Sequence, residues 1–234
     1  MAISIDTVYQ KVLMLANKEQ RGYITPQEFN MFADMAQMEI FEQYFYDLSQ
    51  LSRIHGNSDD QGDIKRNLEE KISIFERVIE RNNQSAIGSS SQYNLYRIGS
   101  IDYNGVVVEE IQQKELTYIS TSPKLKPSLN QSIENMVYYT RANILYVLPS
   151  HHDGPFNVTY IRKPDKPSWT YVVVNQKAMY DANNPSQQDF QLHDSEENEL
   201  VYRILGLAGV SIKRPDLTQI GASLVQAQIQ QEKQ

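Results

Sequence analysis

Cysteine is absent from all 234 residues. Its absence removes disulfides, thiolate nucleophiles and thiolate metal sites together, and it permits a reducing compartment. No stretch approaches the roughly 20 apolar residues of a membrane span. The opening Met1-Ala2-Ile3-Ser4-Ile5-Asp6 lacks the basic start and apolar run of a secretion signal, so a soluble, unsecreted chain is expected. Positive charge is also scarce. Against 29 Asp and Glu stand 22 Lys and Arg, a net charge of −7, so a long basic groove for phosphates is not expected and nucleic acid is not the favoured direct ligand. Neither a P-loop nor a Gly-x-Gly-x-x-Gly fingerprint occurs, and there is no Gly-x-Ser-x-Gly elbow.

What is present is enough apolar residue to bury one core, or one core with a smaller lobe. Val8, Val12, Leu13 and Leu15 predict a first helix from Asp6 or Thr7 to Ala16, before Gly22 interrupts the pattern. A second helix starts at a capping box, with Thr25 as N-cap, Pro26 at the first helical position and Glu28 three residues after the cap. Its apolar face runs through Phe29, Phe32, Ala33, Ala36, Ile40 and Phe41. The continuation through Tyr44, Phe45 and Leu48 is too aromatic for a solvent face and predicts core or subunit contact. Ile64, Leu68, Ile72, Phe75, Val78 and Ile79 predict a third helix over residues 63–82.

From Tyr93 to about Val174 the period shortens to that of strands. Asn104-Gly105 marks a hairpin, because both residues tolerate positive φ. Residues 143–149 and 156–162 read as a second hairpin around Gly154. Helices then return. One runs from about Ser195 to Gly209 with Leu200, Val201, Ile204, Leu205 and Ala208 on one side, opened by Asp194 as N-cap with Glu197 three residues on. Gly206 and Gly209 permit close backbone approach. A last helix spans about 216–231, with Leu217, Ile220 and Leu224 facing a neighbour. The expected class is α+β: a helical bundle from residues 1–90 and 183–234, with an antiparallel β lobe inserted at 91–182.

Candidate chemical sites are weak. Asn17 to Glu28 has Gly22, Ile24, Glu28 and Phe29 at positions of an EF-hand loop, but Arg21 stands where calcium needs an oxygen. A helix-turn-helix corner is the simpler reading. His151-His152-Asp153 falls in a loop without a further ligand, and adjacent strand residues point apart. Ser195 beside His193 and Asp194 reads as local capping, and the carboxylate pairs 59–60, 69–70, 109–110 and 196–197 read as solvated faces. No catalytic, cofactor-binding or metal-ligating residue is nominated. Fifteen tyrosines are the compositional excess, concentrated with Trp169 in the β part, where amphipathic rings serve cross-strand and subunit contacts. The expected interface residues are Phe41, Tyr44, Phe45, Tyr138, Tyr139, Trp169, Leu217, Ile220 and Leu224.

Four segments, in this order and spacing, carry a family resemblance over nearly the whole chain. They are Ala16 to Asn30 (ANKEQRGYITPQEFN); Leu116 to Pro123 (LTYISTSP); Ile144 to Pro149 (ILYVLP) with Thr159 to Pro164 (TYIRKP) and Pro167-Ser168-Trp169; and Phe190 to Lys213. Together they resemble the connector ring or adaptor proteins that join head to tail in crAss-like and related podoviruses. The resemblance implies a non-enzymatic virion protein, made in the host cytoplasm. It implies a homo-oligomeric ring, twelvefold, below the portal, touching the portal and the adjacent ring or tail proteins, with a channel through which DNA passes unbound. An acidic chain suits such a channel, since a repulsive lining lets DNA slide. The alternative is a tail-associated receptor- or glycan-binding accessory protein, for which the aromatic β lobe would supply the platform. A calcium-regulated adaptor ranks third and an enzyme last.

Overall fold

The structure, a computed structural model, describes residues 3–16, 24–51, 53, 59–82, 86–87, 94–122, 136–141, 144–149, 155–211 and 215–232. Helices α1 (Ile5–Ala16), α2 (Pro26–Leu51) and α3 (Asp59–Ser73) come first. Strands β1 (Glu76–Asn82), β2 (Ala86–Ile87), β3 (Leu95–Tyr103), β4 (Val106–Val107) and β5 (Glu109–Glu110) follow, then a short α4 (Leu116–Thr121). Strands β6 (Val137–Arg141), β7 (Ile144–Leu148), β8 (Pro155–Arg162), β9 (Tyr171–Val174) and β10 (Lys177–Tyr180) lead to a 3-10 turn at Asp194–Glu196. Helices α5 (Glu197–Ser211) and α6 (Pro215–Glu232) close the chain. The class is α+β. Two units divide it: residues 1–74 with 164–234, and residues 75–163.

The first unit is mainly helical. Ile5, Val8, Tyr9, Val12 and Ala16 of α1 recur at helical spacing and are buried. So are Phe29, Ala33, Ala36, Ile40 and Phe41 of α2. The capping box forms as expected. Thr25 N donates to Glu28 Oε2 at 3.0 Å, Glu28 N donates to Thr25 Oγ1 at 3.3 Å, and Phe29 N closes the first turn onto Thr25 O. α5 is the element that α1, α2 and α6 all touch. Its Leu200, Val201, Ile204, Leu205 and Ala208 are buried, and each such large side chain contributes about 1.5–3 kcal/mol on leaving water. Gly206 of α5 meets Gly221 of α6 so closely that a Cβ built on Gly221 would lie 2.9 Å from Gly206 Cα. The missing Cβ of Gly221 is what lets the backbones approach this far.

The second unit is mainly strand. One sheet has the order β1-β8-β3-β4 and the other β2-β7-β6-β5, with β5 and β6 the parallel pair. Alternating residues of both sheets meet in one core of Ile101, Tyr103, Tyr138, Leu145, Val147, Phe156 and Val158, joined by Val108 and Met136. The turn between β3 and β4 has Asn104 at φ 49° and Gly105 at φ 81°, as the dipeptide predicts.

Several expectations are corrected. The third helix stops at Ser73, and residues 76–82 form β1, antiparallel to β8. Val78 and Ile79 continue the apolar spacing of the helix, but β-branched side chains suit a pleated edge, and β8 supplies the ladder. Residues 144–148 and 155–162 are not a hairpin. β7 pairs with β2 and β6, whereas β8 pairs with β1 and β3. Their apolar residues face each other across the core, so the likeness of the two runs reflects a shared interior. The β-rich unit accordingly spans 75–163 in place of 91–182, and β9 and β10 belong to the helical unit. Ahead of α5, Asp194 is the first residue of a 3-10 turn, and the cap of that turn is His193, whose side chain accepts from Ser195 N. Glu197 reaches Lys11 Nζ at 2.8 Å.

Candidate interaction surface

Trp169 organises one side of the helical unit. Its N donates to Asn30 Oδ1 at 2.8 Å, its carbonyl accepts from Asn30 Nδ2 at 3.2 Å, and its indole Nε1 donates to Asp6 Oδ1 at 2.9 Å. Its ring lies 4.2 Å from that of Tyr9, 5.8 Å from Tyr171 and 5.9 Å from Tyr180. Tyr171 and Tyr180 are cross-strand partners at the base of the β9–β10 hairpin, so the indole roots both strands. Below them Asp181 N donates to Thr170 O at 2.9 Å, and Thr170 Oγ1 donates to Asp181 O. The Tyr180 phenol is pushed up by burial, with the Asp189 carboxylate adding to the shift.

Beyond this base the hairpin is exposed. Asn175 and Gln176 form its two-residue turn, both at positive φ, which gives the twist that a tight hairpin needs. Val172, Val173, Val174 and Met179 are 45% to 64% exposed. Successive strand residues point to opposite faces, so both faces of this two-stranded arm present apolar side chains. A rooted arm with apolar flanks is a candidate contact surface, not a pocket.

A second exposed surface lies on α2. Met31, Met35 and Tyr46 are 50% to 61% exposed, and with Glu42 they recur at i, i+4, i+11 and i+15 on the face opposite Phe29 and Ala33. The helix carries Glu28, Asp34, Glu39, Glu42 and Asp47 and no lysine or arginine. Arg203 of α5 binds Glu199, Glu39 and Gln43, which ties α2 to α5. Asp34 lies 3.4 Å from Lys166 Nζ.

Buried polar groups in this unit hold structure together. Gln37 donates to Asp165 O at 2.8 Å and accepts from Gln191 N at 2.9 Å, while Gln191 pairs with Asp165 through both its amide atoms. Glu196 is buried and binds Lys71 Nζ at 2.6 Å; its Oε2 has no hydrogen-bond partner among the described residues. In the β-rich unit the Tyr138 phenol is pushed up to about 12, by burial first and then by the charge and hydrogen bonding of Glu110. Among the described residues no group of three His, Cys, Asp or Glu could hold a metal, and no helix is long and apolar enough to cross a membrane.

The residues expected at an interface divide three ways. Phe41, Tyr44, Phe45, Tyr138 and Trp169 are buried within the chain itself. Their aromatic excess is spent on internal packing: Phe41 meets Phe45 edge to face at 5.1 Å, and Tyr138 joins the core between the sheets. Tyr139 is half-buried and stacks on Tyr146 at 5.1 Å. Leu224 is exposed on α6, and the side chains of Leu217 and Ile220 lie outside the described residues. Residues 17–23 of the calcium-like loop and His151-His152-Asp153 also lie outside them. The hairpin arm and the methionine face were missed. Their signals are three valines before Asn-Gln, and methionines four apart opposite the buried stripe.

Comparison with known proteins finds no family model that matches the chain and no similar curated protein.

Proposed function

We propose that this chain is a non-enzymatic structural protein of a tailed-phage virion, one that forms a connector ring below the portal, joins head to tail and leaves a channel for DNA. The observation that carries the reading is the rooted hairpin whose Val172, Val173, Val174 and Met179 stand in water. A contiguous run of such side chains on one arm is accounted for when the arm is covered in an assembly. The order of the four sequence segments adds the class of assembly. Net charge of −7 is compatible with a lumen that DNA slides through.

The tyrosines of β6 and β8 give the glycan-binding alternative no added support, because Tyr138 and Tyr160 are buried and Tyr139 is half-buried; the exposed Tyr118 stands on the short α4. A sugar platform needs exposed ring faces.

Quantitative mass spectrometry of purified virions tests the proposal by scaling this chain against the portal and major capsid proteins. One copy per portal subunit is the expected result. Hundreds of copies, or absence from the particle, would overturn it.

A further inference from the structure

Two unpartnered surfaces of the helical unit complement each other. The hairpin arm bears a single charge, Lys177, among apolar side chains; the α2 face bears acidic residues and no basic one among exposed Met31, Met35 and Tyr46. Lys177 and Glu42 are both exposed, and neither is in an ion pair with another described residue. The arm is long enough to cover part of that face: Met35 to Glu42 spans about 10 Å of helix, and a four-residue strand is about 13 Å long. Methionine adapts its shape to what it meets, so a stripe of it accepts a flat arm without a preformed groove.

We infer that the β9–β10 hairpin of one copy lies on the Met31, Met35 and Tyr46 face of α2 in a second copy, with Lys177 against Glu42. This contact rests on the connector reading for its place in a virion, but it is a property of the chain. Val172 and Met179 share one face of the arm and cover the methionines; Lys177 lies on that same face, at the tip end. Two copies that exchange arms reciprocally close into a two-fold dimer; where they do not, each copy keeps one unused arm and one unused helix face, and the contact propagates to a closed ring or a filament.

The cysteine-free chain makes the test clean. Full-length Val172→Cys and Met35→Cys variants are prepared separately, mixed, and treated with a short bismaleimide. A covalent dimer is expected from the mixture and not from either variant alone. No dimer in the mixture would overturn the inference, and so would a dimer formed as readily by Val172→Cys alone, which would pair arm with arm. Light scattering on the full chain supplies the second test. Lys177→Glu or Glu42→Lys should each weaken self-association about tenfold, and the double variant should restore it. Single effects that merely add in the double variant would overturn the pairing. Virion stoichiometry separates the two ideas. One copy per portal subunit without the cross-link removes this contact and leaves the connector; the cross-link with absence from virions does the reverse.

Discussion

Lys71 and Glu196 show what a single buried pair demands of its surroundings. The ammonium and carboxylate are 2.6 Å apart, Glu196 is almost wholly buried, and Lys71 also lies 5.8 Å from the centre of the Tyr44 ring. Removing one partner strands a charge in a low dielectric, which typically costs about 3–5 kcal/mol, whereas replacing both with apolar residues is far milder. Lys71→Met should therefore destabilise the protein strongly in urea, and the Lys71→Met/Glu196→Met double variant should recover most of the loss. Tyr138 makes a different prediction. Its folded pKa is about 12 against an ordinary 10.0. A raised value means that its contribution is complete below about pH 10 and is lost as pH rises through about 12. Absorbance titration of tyrosinate should show the Tyr138 phenol lagging the exposed ones, and Glu110→Gln should bring it down, since that carboxylate adds to the shift.

Among the elements, α5 and α6 depend on an asymmetry between two glycines. A Cβ on Gly221 would lie 2.9 Å from Gly206 Cα, 3.0 Å from Gly206 N and 3.0 Å from Tyr202 O, all backbone atoms that cannot rotate away. A Cβ on Gly206 would meet nothing nearer than 4.0 Å. Gly221→Ala should thus loosen α6 and speed hydrogen exchange along Pro215–Glu232. Gly206→Ala should be tolerated and gain up to about 1 kcal/mol in helix propensity. Equal effects of the two substitutions would contradict this geometry. The sequence marks Gly206 as a site of close approach, but its partner 15 residues later in the next helix is set by how the two helices cross. The capping box at Thr25 and the Asn104-Gly105 turn were legible because each is decided within four residues. The end of α3 was not. Val78 and Ile79 fit the helical period by spacing, and only β8, some 80 residues away, turns them into a strand.

For the molecule as a whole, the chain leaves the helical unit at Ile74 and returns at Pro164. The two crossings are joined on the β side, where Arg162 N donates to Phe75 O at 2.9 Å and β1 runs antiparallel to β8. Because that pair forms a stem, residues 75–163 should be replaceable by a turn of about four residues. The shortened protein should keep its helical circular dichroism and melt cooperatively. A molten product would mean that the β-rich unit is needed to fold the helical one.

What the sequence by itself determined is the α+β class, the helix faces of α2 and α5, the α2 cap and the β3–β4 turn; of the expected α1 face, Val8 and Val12 are buried and Leu15 is exposed. These depend on periodicity and on contacts a few residues apart, and both are written directly in residue order. Only the tertiary structure decided that Phe41, Tyr44, Phe45, Tyr138 and Trp169 are interior, because an aromatic side chain reads the same at a core and at an interface. It also decided that 144–148 and 155–162 belong to opposite sheets, and that an arm of valines rooted on Trp169 stands exposed. The physical reason is the same each time. Alternation and aromaticity specify that a face is to be covered, and the partner that covers it is chosen by residues far away in the chain.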